Sequence, residues 1–200
     1  MEITAELIKN LREETGAGFL DVKKALQDSN GDVDKAKAVL RLIGVKIAEK
    51  KQARTAGQGI VYSYIHGDKL GVLVELRCET DFVARSEPFR AMARDLALHI
   101  AASAPQYLRP EDVLSSVIEA ECQIYQQQVA AEGKPADIAA KIVEGKLAKF
   151  YTQVCLLNQP FVKDDSITVA QVIEQLTAKV GEKIEIGDFY RLQLGAKGRH

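Results

Sequence analysis

Cys78, Glu79, Thr80, Asp81 and Arg85 put a thiol, two carboxylates, a hydroxyl and a guanidinium within eight residues, with Phe82 among them. A thiol next to a base would make a nucleophile. Here the neighbours are carboxylates, which raise a thiol's pKa and suppress the thiolate. Cys78 therefore reads as a buried strand cysteine, and no catalytic residue is assigned. Glu144-Gly145-Lys146-Leu147 lacks the upstream glycine and the following Ser or Thr of a phosphate-cradling loop, so the chain is not expected to bind GTP itself. Neither the three cysteines, Cys78, Cys122 and Cys155, nor the three histidines, His66, His99 and His200, show metal-ligand spacing. No metal or other cofactor is expected. His99, between Leu98 and Ile100 on an amphipathic run, reads as a packed or surface histidine rather than a ligand.

What remains is an acid, an aromatic and a base at a junction. Upstream, Leu70 to Cys78 is rich in Val and Leu and is bounded by Gly67-Asp68, a strand signature. Downstream, Phe89, Met92, Ala93, Leu96 and Ile100 recur at helical spacing. Loops held between rigid elements often carry function. The plainer alternative is that Phe82 is core and Asp81 beside Thr80 is turn or cap chemistry. Spacing alone leaves both open.

Residues 1 to 55 read as three short amphipathic helices joined by tight turns, the first capped by Thr4 and the third by Asp32. Such a bundle has few core residues and only marginal stability alone. Val22, Ala25 and Leu26 fill the inward stripe of the second helix, so one of Phe19 and Leu20 is expected to face outward. That residue is either a docking point or a lone exposed hydrophobe, which needs no cause. Gly44 to Ala56 carries Lys46, Lys50, Lys51 and Arg54 against Glu49 and is read as a solvated basic linker, a helix followed by a hinge at Gly57 to Gly59.

Gly59 to His66 alternates as a strand that turns through Gly67-Asp68 into the strand ending at Cys78. Helices are expected from Ser86, as cap, to Ala104, along most of Pro110 to Leu157 with a break at Gly133-Lys134-Pro135, and from Val169 to Val180. Gln159-Pro160-Phe161 reads as a turn, Lys183 to Leu194 as a closing strand, and Gly195 to His200 as a mobile tail. The fold class is α+β: an N-terminal three-helix bundle over 1–55, a hinge, then a core over 56–200 in which a three-stranded antiparallel sheet packs with helices.

The sequence motifs add a resemblance. Thr80-Asp81-Phe82-Val83-Ala84-Arg85, preceded by Glu75-Leu76 and Cys78-Glu79, resembles the central signature of the elongation factor Ts family. Leu11 to Leu26, with Thr15-Gly16-Ala17-Gly18-Phe19-Leu20 inside it, resembles that family's N-terminal signature, and Gln159 to Asp164 extends the likeness towards the C-terminus. Two departures stand out: Arg77 where an Asn or small residue is expected, and Phe19-Leu20 where members often carry Met-Met.

The resemblance implies a guanine nucleotide exchange factor for the translational GTPase elongation factor Tu, with no catalytic chemistry of its own. It implies that Thr80, Asp81, Phe82 and Val83 form the motif that binds the partner and dislocates its Mg²⁺: Phe82 wedges between helices of the partner, Asp81 disturbs the Mg²⁺ neighbourhood, and Thr80 and Val83 shape the turn. It places N-terminal docking on Arg12, Phe19 and Leu20. One copy of the Thr-Asp-Phe-Val motif resembles the short form of the family, whose members form homodimers. The helical bundle also resembles ubiquitin-associated-type folds, which suggests an alternative: a passive adaptor that binds through residues 1–55 without affecting nucleotide. A nucleic-acid adaptor using Lys46, Lys50, Lys51 and Arg54 is a third reading.

Composition bounds these choices. In 200 residues, 27 Lys and Arg stand against 28 Asp and Glu. That balance argues against nucleic-acid binding through bulk charge. No apolar run approaches the ~20 residues of a membrane span, so no membrane binding is expected. The N-terminus lacks the basic start and apolar stretch of a signal peptide. With three scattered cysteines, a reducing cytoplasm is the expected compartment.

Overall fold

A computed structural model describes residues 3–131 and 135–196. Its contacts group the chain into two compact units, Met1–Ala97 with Ala170–His200, and Leu98–Val169.

The first unit begins with α1 (Ala5–Thr15), α2 (Phe19–Asp28) and α3 (Val33–Lys51). Thr4 caps α1 by accepting from the Leu7 N–H, and Asp32 caps α3 by accepting from Lys35. Gly16, at φ 68°, closes α1 in the left-handed conformation that a glycine adopts without steric cost. Ile8, Leu11, Val22, Ala25, Leu26, Ala36 and Leu40 form the bundle's core, which matches the apolar stripes of the sequence. α3 runs unbroken through Gly44 into the basic segment, so most of the expected linker is helix.

The sheet has strand order β1-β2-β5, from β1 (Gln58–His66), β2 (Leu70–Cys78) and β5 (Glu185–Gln193), all antiparallel. Gly59 belongs to β1 rather than to a hinge, and a side chain there would run into the Leu76 carbonyl oxygen and the Arg77 Cα. Val72, Val74, Leu76 and Cys78 of β2 and Ile186 of β5 are buried. Phe89, Ala93 and Leu96 of α5 (Glu87–Ser103) and Val172, Ile173 and Leu176 of α8 (Val169–Val180) supply further core residues. Between β2 and α5 the chain forms a single helical turn, α4 (Asp81–Ala84), which packs against β1 and β2. The Ser86 hydroxyl, expected to cap α5, instead donates to the Val83 carbonyl at 2.7 Å.

The second unit contains α6 (Ser115–Ala131) and α7 (Ala136–Val154), packed on each other, and a small hairpin of β3 (Pro160–Phe161) and β4 (Asp164–Thr168). The sequence reading held only a turn at Gln159-Pro160-Phe161, because two residues are too few to show alternation. Pro110–Asp112 is a separate 3₁₀ turn rather than the start of α6. Buried His99 is fully satisfied: the Val162 N–H donates to Nδ1 at 3.2 Å, and Nε2 lies 2.9 Å from Gln159 Oε1. An Nδ1 that accepts puts the proton on Nε2, the donor to Gln159. Phe161 stacks on the same ring, with centroids 5.9 Å apart. Glu132, Gly133, Lys134 and the residues from Lys197 to His200, where the expected helix break and tail fall, lie outside the described residues.

Candidate functional site

β2 ends at Cys78, and its last residues are held on both sides, by β1 and by β5. The chain leaves that rigid strand through Thr80, whose extended backbone (φ −126°, ψ 155°) and side chain cap α4 by accepting from the Val83 N–H. All of Thr80's polar groups are engaged. Its carbonyl accepts from the Cys78 thiol at 3.1 Å and from the Ala84 N–H at 3.2 Å. Its N–H donates to Glu182 Oε2 at 3.0 Å, and its hydroxyl to Glu182 Oε1 at 2.7 Å.

The turn carries two opposite faces. Val83 and Ala84 point inward, with Val83 only 6% exposed. Phe82 points outward at 81% exposure. The plainer alternative for Phe82, a core residue, is thus excluded, while the cap reading of Thr80 holds. Asp81 is also exposed, and its Oδ2 lies 2.8 Å from Arg85 Nη2 across one helical turn. Both partners of that pair are in solvent, where such pairs contribute only ~0–1 kcal/mol. Cys78 is buried beneath the turn; burial, with the nearby Glu182 charge, pushes its thiol up. It is inert as a nucleophile.

Around this tip lie contacts that the sequence did not show. Glu79 accepts from the Lys183 N–H at 2.7 Å and from Arg54 Nη1 at 3.3 Å. The Lys183 N–H, helped by the Arg54 charge, holds the Glu79 carboxyl below the usual carboxylate range. Lys51 bonds the Gly181 carbonyl. Two of the four cations read as solvated are therefore tied to the loop behind the tip, and the proposed nucleic-acid face loses them. Their partners are 25 and 130 residues away in sequence, a distance that no local pattern spans.

In the bundle, Phe19 and Leu20 both face solvent, at 51% and 76% exposure, where one of the two was expected to. Both open α2 directly after the Gly18 cap, and Arg12 is exposed in the last turn of α1. No group of three or more potential metal ligands occurs among the described residues, and no helix there is long and apolar enough to cross a membrane.

A second surface was missed. Cross-strand partners Ser63, Leu73 and Tyr190, and Ile65, Gly71 and Leu192, lie on one face of the sheet together with Val61. Val61, Ile65, Leu73, Tyr190 and Leu192 are all exposed. A signal was present in β2, where Val72, Leu73, Val74 and Leu76 are apolar at both parities, whereas a strand with one wet face should alternate.

A family model described as Elongation factor TS matches residues 2–196. An elongation factor Ts of Coprothermobacter proteolyticus is 53% identical over 196 residues, covering 98% of this chain and 100% of its own. Those of Thermodesulfovibrio yellowstonii and Carboxydothermus hydrogenoformans are 51% and 50% identical, covering 98% and 96% of this chain and 98% and 89% of theirs. With both signature motifs in place and the match running nearly end to end, the chain belongs to the elongation factor Ts family of translation elongation factors.

Proposed function

We propose that this chain binds elongation factor Tu in its GDP form and promotes GDP release by disturbing the Mg²⁺ and phosphate site. The observation that carries this reading is Phe82, a large apolar side chain 81% exposed on a turn anchored by the Thr80 cap and by buried Val83 and Ala84. A solvent-facing phenylalanine has no folding role to explain its place, and aromatic anchors dominate binding energy at interfaces.

The mechanism follows from linkage. A factor that binds the GDP-free partner better than the GDP-bound partner must weaken GDP binding by the same factor. Phe82 does this if its apolar slot opens only when the nucleotide pocket is distorted. Asp81, one residue away, brings negative charge to a site where Mg²⁺ and phosphate charges dominate affinity. Its present partner, Arg85, is held only by an exposed pair and is readily exchanged. Thr80 and Val83 belong to the same partner-binding motif and shape its turn, Thr80 as the cap and Val83 from beneath. Arg12, Phe19 and Leu20 form the docking point of the bundle over 1–55. The chain makes and breaks no covalent bond and binds no nucleotide or nucleic acid itself, and it works in the cytoplasm.

The exposed sheet face supports a homodimer. Five exposed apolar residues on one face make a continuous patch of the kind that marks an interface. A second copy suits it because two such faces can pack as a sandwich about 10 Å apart, and the patch is self-complementary in chemistry, as a two-fold interface requires.

The test is release of fluorescent GDP from purified elongation factor Tu, with and without this protein. Acceleration is expected. An unchanged rate would defeat the proposal, and full binding by residues 1–55 with no effect on nucleotide would favour the passive adaptor.

A further inference from the structure

The loop between α8 and β5 meets the end of β2 in a reciprocal arrangement. The Glu182 carboxylate accepts three hydrogen bonds from the tip's base: Glu79 N–H at 3.2 Å, Thr80 N–H at 3.0 Å and Thr80 hydroxyl at 2.7 Å. Glu79 answers by accepting from the Lys183 N–H, the residue after Glu182. Arg54 closes on Glu79 from the segment after α3, and Lys51 bonds Gly181. Two segments remote in sequence thus converge on the two residues immediately before Asp81. Glu182 and Glu79 are both partly buried.

We infer that Glu182, with Glu79 as its counterpart, is a positioning residue for exchange: it holds Thr80 so that Asp81 and Phe82 stand in one fixed orientation. This rests on the exchange reading above. The physical reason is pre-organisation. A four-residue helix is far too short to be stable alone, so its orientation comes from its surroundings: the packing of Val83 and Ala84 on the sheet and the grip on its N-cap, Thr80. Charge-assisted bonds to a carboxylate are the stronger kind of hydrogen bond, and three converge here. A tip that is competent only part of the time acts with proportionally reduced effect.

The inference separates orientation from docking. Without the Glu182 carboxylate the bundle still offers Arg12, Phe19 and Leu20, so the concentration needed for half-saturation should hold. The maximal rate of GDP release at saturating factor should fall. In full-length Glu182→Ala we expect that maximal rate to drop at least about fivefold, with half-saturation shifting by less than about twofold. In the protein alone, the Glu79 and Thr80 amides should lose protection from hydrogen exchange. Glu182→Gln should restore most of the rate, because its amide oxygen can accept from both N–H groups while its NH₂ donates to the Thr80 hydroxyl oxygen. Should Glu182→Ala lower the folded fraction, Glu182→Asp carries the same expectation, since it keeps the charge but draws the carboxylate back. A wild-type maximal rate in these variants would overturn the inference, as would a loss that tracks the unfolded fraction or a Gln variant as impaired as Ala. Failure of the wild-type protein itself to speed GDP release would instead sink the exchange reading and this inference with it.

Discussion

Phe82→Ala removes the exposed aromatic and nothing that the fold uses. Phe82 is 81% exposed, so of the roughly 200 Å² that a phenylalanine can bury, about 160 Å² is available to a partner. At about 25 cal/mol per Å² this gives a ceiling of about 4 kcal/mol. Ordering and imperfect fit reduce that figure on association. If half survives and is realised only once GDP has left, the partner's empty state is favoured by about 2 kcal/mol. Linkage turns this into an effect on GDP affinity of about 30-fold. The stability of the free protein should change by no more than ~0.5 kcal/mol, as for other exposed positions. Equilibrium titration of fluorescent GDP onto elongation factor Tu at saturating factor measures the first quantity, and urea unfolding the second. A variant that weakens GDP binding to within about threefold of the wild-type effect would refute the wedge. So would one whose unfolding midpoint collapses, because Phe82 would then be structural.

Other expectations follow from the same description. Leu73→Glu places a charge in the middle of the exposed sheet face, and in a two-fold dimer it brings two such charges together; light scattering should report a monomer, and a persistent dimer would remove that face as the interface. Gly59→Ala drives a methyl into the Leu76 carbonyl and to 2.9 Å from the Arg77 Cα, so urea unfolding should show a loss of about 1–3 kcal/mol; an unchanged midpoint would mean that the strands separate freely there. Burial holds the His99 imidazole below its ordinary 6.5, so as pH falls the unfolded chain takes up the proton first. Its contribution is complete above pH 6.5 and is lost as pH drops towards the folded value, with a slope of up to about 1.4 kcal/mol per pH unit. Urea midpoints measured across that window should fall in wild type and flatten in His99→Gln, and parallel slopes would show that other groups carry the acid sensitivity.

Much of this architecture could be read from residue order because its determinants are local. The β1–β2 hairpin follows from Val and Leu around Gly67-Asp68, and the bundle from caps at Thr4 and Asp32 with apolar residues at helical spacing. The tip's inward and outward faces were only half legible. Thr80 as a cap is a local fact, but whether Phe82 or Val83 goes inside depends on how α4 lies against β1 and β2. The roles of Lys51, Arg54 and Glu182 were not legible at all. A cation in a basic run and a carboxylate after a glycine look like solvated surface until a remote segment is folded against them. β3 and β4 escaped because their pairing is too short to leave a periodic trace. The exposed sheet face did leave a trace in β2, whose Val72-Leu73-Val74 run is apolar at both parities and signals only a strand.

β2 has its hairpin partner just before it in the chain, but its other neighbour, β5, arrives only from the far end. The same late segment delivers the carboxylate that grips Thr80, 102 residues downstream. A ribosome-bound chain in which Glu182 and β5 have not yet been made would therefore show Asp81 and Phe82 on a looser loop. Readiness to act on a GTPase would arrive with β5, so a product terminated before Glu182 would be impaired however well its bundle folds.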